Sequence, residues 1–314
     1  MKIISPILVF LTCFVNALPA QEITLPLEMK GSHLSSQWQL NSSIGANVFL
    51  ETGFPKVVFN EIFVKEHLIE LNVKMVEAPE NKNISLWGGN RKYKVSYLIN
   101  DTITINGKRV EMDALVVDFT PIKAWKNYDI IYPILDLKGR IEINIKDRYM
   151  KILDSASNLP EGFHSYKVNK DKDTKGLYLS TNLRVYDTLG GKEELSGNFL
   201  LDLGAGNAFM LNKNRQEVLT FVQQTDRMHL KDSTRIPSPG KRNLSIIMPQ
   251  RIEIDNIEIK GTFIPALKFF ASKKSNKYVG CIGNKFFRNF VLIFDFENST
   301  IYLKPNTDRI VMLK

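Results

Sequence analysis

Cysteine is nearly absent from this sequence of 314 residues. Cys13 and Cys281 are its only two cysteines, which excludes a disulfide framework and a metal site built from cysteine ligands. The four histidines are spread along the chain at His33, His67, His164 and His229. Their spacing does not fit a set of metal ligands. The sequence therefore predicts a protein without a metal ion or any other cofactor.

A strong charge bias is also missing. Lys and Arg total 42 and Asp and Glu total 33, so the net charge is +9, and the excess is scattered along the chain. No basic block, zinc-finger spacing or aromatic-basic stripe is present, so we expect no nucleic-acid partner. A composition with 44% hydrophobic and 24% charged residues is typical of a globular protein.

Long apolar runs are confined to the N-terminus. Ile3 to Val15 is almost entirely apolar and follows Lys2, and Ala17 or Ala20 offers a small residue for cleavage. This pattern predicts a secretory signal peptide over residues 1–20. It also predicts export to the periplasm or the extracellular space, without membrane attachment after cleavage. The alternative is an uncleaved membrane anchor, although the run is short for a spanning helix.

Short apolar or alternating runs dominate the rest of the chain. Examples are Val95 to Ile105, Ala114 to Phe119, Ile141 to Ile145 and Phe290 to Phe296. Turn-forming pairs such as Asn106-Gly107 separate these runs, and this spacing predicts an all-β protein of sandwiches or barrels. Helical periodicity of any length occurs only in Glu61 to Leu71, after a capping Asn60, and in Arg215 to Gln224.

Two segments of the chain, 48–53 and 199–204, repeat one pattern. Each has three apolar residues, an acid, one further residue and a glycine, and the acids Glu51 and Asp202 lie 151 positions apart. The same offset relates Ile152 to Leu303, which end two strand-like runs, and Asn144 to Asp295, which open two turns. A constant offset over separate features indicates an internal duplication.

The duplication predicts two similar β-barrel-like lobes related by a pseudo-two-fold axis, with few short helices. The N-terminal lobe is predicted over residues 21–154 and the C-terminal lobe over residues 176–314. The polar segment 155–175 contains Pro160 and ends in a run of charges. It is predicted to be a linker or a surface excursion.

An acid at the end of an apolar strand is costly to bury as an isolated charge. If the two lobes pack about a two-fold axis, Glu51 and Asp202 face each other and share one proton. Such a pair activates a water molecule and returns a proton to a leaving amine. The alternative is that each acid accepts backbone N–H bonds at its own turn.

With these features the chain resembles two-lobed members of the aspartic peptidase superfamily, in the retropepsin and pepsin-like group. Phe199 to Ala205 resembles the family's apolar-apolar-Asp-Thr/Ser-Gly-Ala motif. Gly280 to Phe290 is similar to its later Gly-x-Leu-Gly-x-x-Phe-Leu-x-x-Phe segment, and Val291 to Leu303 resembles its closing hairpin. The resemblance implies an acid protease fold and a peptide or unfolded protein as substrate or ligand. It also implies Asp202 and Glu51 as the catalytic pair, with Thr52, Gly53 and Gly204 as supporting loop residues.

The sequence departs from the family pattern at three places. Glu51 stands where the family has aspartate, and one methylene moves a carboxyl by up to about 1.5 Å. Leu203 stands where a Thr or Ser hydroxyl normally braces the two loops. Asp129 to Tyr132 occupies the place of the first lobe's Gly-x-Leu-Gly, and Tyr132 is expected to fill space beside Glu51.

These departures leave two hypotheses about function. One is an exported aspartic-type endopeptidase with weakened or lost activity. The other is a peptide-binding or structural protein on the same fold. Trp87-Gly88-Gly89-Asn90 is interpreted either as the tip of a flap over the cleft or as an ordinary hairpin turn.

Overall fold

The structure is a computed structural model, and its description begins at Ile23. The described residues are 23–30, 33–52, 54–85, 92–137, 139–153, 159–172, 176–225, 227–228, 230, 235–236, 244–245, 247, 249–260, 267–270 and 277–313. The predicted signal peptide over residues 1–20 lies outside these ranges and stays a prediction. Within the described ranges, no helix is long and apolar enough to cross a membrane.

The first half of the chain consists mainly of strands. They are β1 (Ile23–Pro26), β2 (Glu28–Lys30), β3 (His33–Leu40), β4 (Ile44–Glu51), β5 (Val57–Asn60), β6 (Met75–Glu77), β7 (Asn83–Ser85), β8 (Lys92–Lys94), β9 (Tyr97–Ile105), β10 (Lys108–Val117), β11 (Ile130–Pro133), β12 (Arg140–Asn144) and β13 (Tyr149–Leu153). Helices α1 (Glu61–Glu66) and α2 (Leu68–Leu71) follow β5, and a 3-10 turn (Ile134–Asp136) follows β11.

The second half repeats this composition. Its strands are β14 (His164–Lys167), β15 (Asn169–Lys170), β16 (Leu177–Tyr186), β17 (Lys192–Asp202), β18 (Phe209–Asn212), β19 (Arg235–Ile236), β20 (Leu244–Ser245), β21 (Arg251–Ile254), β22 (Ile257–Ile259), β23 (Leu267–Phe270), β24 (Gly280–Gly283), β25 (Phe290–Asp295), β26 (Thr300–Pro305) and β27 (Ile310–Met312). Helix α3 (Gln216–Thr225) follows β18, and α4 (Asn284–Phe287) follows β24.

Most strands form one large sheet in each lobe and a third sheet between the lobes, and β7 with β8 and β19 with β20 form two small two-stranded sheets. The first lobe is an eight-stranded sheet in the order β2-β3-β4-β11-β5-β10-β9-β6, and β3 also pairs with β9, so the sheet curls toward a barrel. The second lobe is a nine-stranded sheet in the order β23-β18-β24-β17-β16-β21-β22-β27, with β15 beside β16. The central sheet has the order β1-β13-β12-β25-β26-β14. The predicted all-β, two-lobed architecture is confirmed.

The central sheet obeys the offset of 151 in its register. β12 pairs with β25 in antiparallel fashion, and Glu142 lies opposite Ile293 at the middle. Arg140 pairs with Asp295, and Asn144 pairs with Val291. The offset of 151 relates Arg140 to Val291 and Asn144 to Asp295, so it converts the first pair into the second. The register is therefore symmetric about a two-fold axis through this sheet, as a duplicated chain requires.

Turn-forming and capping residues explain where several strands and helices begin or end. Asn106 and Gly107 both have positive φ, at 46° and 82°, which is the backbone of a tight hairpin turn between β9 and β10. The Asn60 side chain accepts a hydrogen bond from the Ile62 N–H and caps α1. The helix predicted from Glu61 to Leu71 is present but interrupted at His67.

The predicted linker, 155–175, contributes strands to two sheets. β14 pairs with β26 at one edge of the central sheet, and β15 pairs with β16 in the second lobe. A polar composition did not reveal these pairings, because edge strands need only one buried face or none. The boundaries of the two lobes stay predictions.

Candidate active site

The two repeated acids lie at the ends of equivalent central strands. Glu51 is the last residue of β4 and Asp202 is the last residue of β17. A parallel strand supports each of them, β11 beside β4 and β24 beside β17. Three apolar residues before each acid are buried in their own lobe, so each strand delivers its carboxyl to the boundary between the lobes.

The Thr52 hydroxyl joins the two strand ends. Thr52 is fully buried, its Oγ1 donates a hydrogen bond to the Leu201 carbonyl at 2.8 Å, and it accepts one from the Leu203 N–H at 2.9 Å. The equivalent position in the second lobe, Leu203, is buried and has no hydroxyl to return these bonds. One hydroxyl therefore carries both hydrogen bonds, and the connection between the loops is one-sided.

The Glu51 carboxyl crosses from the first lobe to the second. The Thr52 N–H donates to its Oε1 at 2.9 Å. A Cβ on Gly204 would lie 2.8 Å from the Glu51 Cδ, so the carboxyl occupies the space that any larger residue at 204 would need. Gly204 is not among the described residues with positive φ. A glycine at 204 therefore leaves room for the Glu51 carboxyl.

Asp202 is the more buried member of the pair. Burial raises the pKa of Asp202, and hydrogen bonds from Glu51 and from the N–H groups of Ala205 and Gly204 act in the opposite direction. The Ala205 N–H lies 3.0 Å from Oδ1. A hydrogen bond between two carboxyl groups requires a proton on one of them. Two carboxyl groups in such contact therefore share one proton when they are hydrogen-bonded to each other.

Comparison with solved structures identifies the fold. The crystal structure of an aspartic proteinase from Irpex lacteus matches with a TM-score of 0.56, over 92% of this chain and 98% of that chain. This chain has the aspartic proteinase fold. The two sequences are 8% identical, so the likeness establishes the fold alone. No protein-family model matches the chain, and a search of the curated proteins finds no match.

Within this aspartic proteinase fold, β24 holds the second-lobe loop tightly. The Gly283 N–H donates to the Ala208 carbonyl and the Asn284 N–H donates to the Ala205 carbonyl, both at 2.9 Å. The Asn284 side chain donates to the Leu203 carbonyl at 3.3 Å. A Cβ at Gly283 would lie 2.5 Å from the Ala205 carbonyl oxygen, so only glycine permits this approach.

The first lobe has proline at the position equivalent to Gly283. In the parallel ladders, Pro133 is the partner of Glu51, as Gly283 is the partner of Asp202. The sequence had matched Tyr132 to Gly283, which is wrong by one residue. The Tyr132 ring packs against Trp38 at a centroid distance of 4.8 Å, and Tyr132 pairs with Leu50. A proline where the other repeat has glycine was the signal that could have identified Pro133.

Other predicted features fall partly or wholly outside the described residues. Gly53 and the candidate flap tip, Trp87, Gly88 and Gly89, lie outside them, and the flap stays a prediction. The described strands on either side, β7 and β8, pair in antiparallel fashion.

Two further groups bear on the chemistry of the site. Among the described residues, no three His, Cys, Asp or Glu side chains are arranged to hold a metal ion. Cys281 is fully buried beside the pair, and burial together with the charges of Asp202 and Glu51 raises the pKa of its thiol. A buried thiol with a raised pKa is a poor nucleophile.

Proposed function

We propose that this protein is an aspartic-type endopeptidase of weakened activity, in which Asp202 and Glu51 share one proton and activate a water molecule. The observation that supports this proposal most directly is the position of the Glu51 carboxyl, which crosses to the second lobe and lies against Gly204 beside the buried Asp202. A pair with one proton contains both a base and an acid, which hydrolysis of an amide requires.

The proposed reaction uses the two carboxyls in turn. The ionised Asp202 accepts a proton from water as the water oxygen bonds to the carbonyl carbon of the peptide. Glu51 holds the shared proton and donates a hydrogen bond to the carbonyl oxygen, which gains negative charge. The proton taken up by Asp202 then passes to the amide nitrogen as the C–N bond breaks, and the pair returns to its starting state.

We propose that the peptidase activity is weakened because only one of the two loops supplies a hydroxyl that connects them. Leu203 has no hydroxyl, so Thr52 alone braces both acids. A small displacement of either carboxyl reduces the rate of reaction strongly, by about 100-fold per 1 Å. A binding protein on the same fold, without hydrolysis, is the outcome if this bracing is insufficient.

Cleavage of an unfolded protein over a range of pH tests the proposal. We expect cleavage in the pH range where the pair holds one proton: it should fall at low pH, where Asp202 is also protonated below its raised pKa, and at high pH, where both acids are ionised. Asp202→Asn should abolish cleavage, whereas Asp255→Asn, an exposed control in the same lobe, should leave it unchanged. Leu203→Thr should increase the rate, and Leu203→Val is its matched control without a hydroxyl. Cleavage that survives Asp202→Asn would refute the proposed pair.

We also propose that the chain is exported after removal of residues 1–20. The support is the apolar run Ile3 to Val15 after Lys2, followed by small residues. N-terminal sequencing of the protein recovered from its native host should find the mature chain beginning near residue 21. An intact apolar segment on the mature protein would instead identify a membrane anchor.

A further inference from the structure

The first lobe has a cavity of about 490 Å³ between its own sheet and the central sheet. Its apolar walls include Leu25 and Ile152 of the central sheet and Ile105 at the turn between β9 and β10. Among the described residues that line it, neither Glu51 nor Asp202 is present. The cavity is therefore a feature of the first lobe that the acid pair does not use.

The equivalent space in the second lobe is closed, with a volume of only about 20 Å³. Two wall residues identify it as the equivalent space. Ile282 holds the place in the parallel ladder of the second lobe that Tyr132 holds in the first, and Leu303 lies 151 positions after Ile152. One position in the duplicated fold is thus filled in one lobe and open in the other.

The segment that follows the supporting strand explains this difference. In the second lobe, helix α4 carries Phe286 and Phe287, which are buried and line the closed space. Counting from the ends of β11 and β24, Asp136 stands in the place of Phe286. Leu137 stands in the place of Phe287, and both first-lobe residues line the open cavity. The cavity therefore exists where the first lobe lacks two phenyl rings.

A buried hydrogen-bond donor lies in the cavity wall. Trp38 lines the cavity and is 3% exposed, and its indole Nε1 has no hydrogen-bond partner among the described residues. An indole N–H can donate a hydrogen bond but cannot accept one, and leaving it buried without an acceptor is unfavourable. A molecule in the cavity that carries an acceptor oxygen would satisfy this donor.

The charged residues around the cavity balance each other. Lys108 and Arg109 contribute two positive charges, and Glu111 and Asp136 contribute two negative charges. All four residues are exposed, so their charges remain in contact with solvent. The walls therefore give an ion no net attraction, and an uncharged molecule fits them best. The volume is within the range of about 300–1,000 Å³ that small-molecule sites occupy.

We propose that this cavity is a ligand site for an uncharged, mainly apolar carbonyl compound, whose oxygen accepts a hydrogen bond from the Trp38 indole N–H. The apolar walls hold the body of the ligand and Trp38 orients its carbonyl group. The site does not depend on the acid pair, so it is independent of the proposed peptidase activity.

Two probes of nearly equal shape test the proposal. Acetophenone has a carbonyl oxygen, and α-methylstyrene has a CH₂ group in the same place. The chain has three tryptophans, and the indole N–H signal of Trp38 in a ¹H–¹⁵N NMR spectrum is the one missing in Trp38→Phe. Acetophenone should move this proton signal downfield to a saturating value, whereas α-methylstyrene should not produce that shift.

Affinities for both probes, from the methyl signals of Ile152, measure the contribution of the donor. In Trp38→Phe the ratio of the affinity for acetophenone to that for α-methylstyrene should fall about 5-fold, because one hydrogen bond is lost. Using the ratio removes the change in packing that both probes experience.

A filled cavity provides the second test. Leu137→Phe copies Phe287 and should weaken the binding of both probes by at least about 10-fold. Its matched control is Leu189→Phe, which adds the same ring at a position that is 73% exposed in the second lobe and should leave binding unchanged. If Leu137→Phe does not fold, the comparison of the two probes on the wild-type protein still decides.

Three results would overturn the inference. Equal shifts of the Trp38 signal with both probes would remove the role of the carbonyl group. Undiminished binding to a folded Leu137→Phe variant would place the probes elsewhere on the protein. No shift with either probe at millimolar concentration would show that the cavity does not take such a ligand. None of these measurements requires cleavage, so a failure of the proposed peptidase function would leave them unaffected.

Discussion

The two lobes support their acids in different ways on the same topology. In the second lobe, Asp202 is followed by a loop that Gly283 and Asn284 attach to β24 through backbone hydrogen bonds. In the first lobe, Glu51 is followed by a loop beside Pro133 and a cavity of about 270 Å³. The two lobes keep equivalent central strands although the residues that support their acids differ, with Pro133 in one lobe and Gly283 in the other. Close approach of loop and strand depends on single residues that lack a Cβ.

The largest expected effect distinguishes the two supporting strands directly. Gly283→Ala should destabilise the protein by roughly 3 kcal/mol, because the new Cβ collides with the backbone carbonyls of Ala205 and Asn207. Pro133→Ala at the equivalent place should change stability by less than about 1 kcal/mol. Urea unfolding of both variants measures the difference. Equal effects would show that the two loops are packed alike.

A second prediction concerns the one-sided brace. Thr52→Val should destabilise the protein by about 2 kcal/mol, because the Leu203 N–H and the Leu201 carbonyl are left buried without the hydroxyl that now bonds both. Thr52→Ser retains the hydroxyl and should have a smaller effect in the same unfolding experiment. If valine and serine behave alike, these hydrogen bonds do not hold the lobes together.

A third prediction uses the burial of Asp202, which Glu51 does not share to the same extent. The pKa of Asp202 is raised above its ordinary value of 3.8, so the folded state binds the proton more tightly than the unfolded chain. The bound proton stabilises the folded state fully at pH values below 3.8, and this stabilisation is lost as pH rises through the raised pKa of Asp202. Asp202→Asn should therefore be more stable than wild type at pH 7, by about 1 kcal/mol, and equal to it near pH 3. A constant difference at all pH values would contradict a buried, titrating Asp202.

The smallest expected effect concerns Cys281, whose equivalent in the first-lobe ladder is Ile131. Its thiol is fully buried and its pKa is raised by burial, so a thiol reagent at pH 8 should label it only after unfolding in urea. Measurement of the label by mass spectrometry with and without urea checks this. Rapid labelling of the native protein would mean that the folded second lobe opens around Cys281.

The sequence by itself determined the all-β class, the duplication and the residues that the two lobes bring together. Apolar alternation and Asn106-Gly107 specify strands and a hairpin locally, because strand period and turn backbone depend on adjacent residues. The offset of 151 between Glu51 and Asp202 recurs as the register of the central sheet. The resemblance to aspartic peptidases led to the fold that comparison with solved structures established.

Only the tertiary structure decided how the acids are supported. The strands inside 155–175, the matching of Pro133 to Gly283 and the space that Glu51 needs beside Gly204 all depend on contacts between distant segments. A fixed offset along the chain misplaced the last strand of the first-lobe site by one residue, because Pro133 and Gly283 lie 150 positions apart, whereas the acids lie 151 apart. Hydrogen bonds and close approaches across the two lobes act through space, and no local pattern of residues encodes their distances.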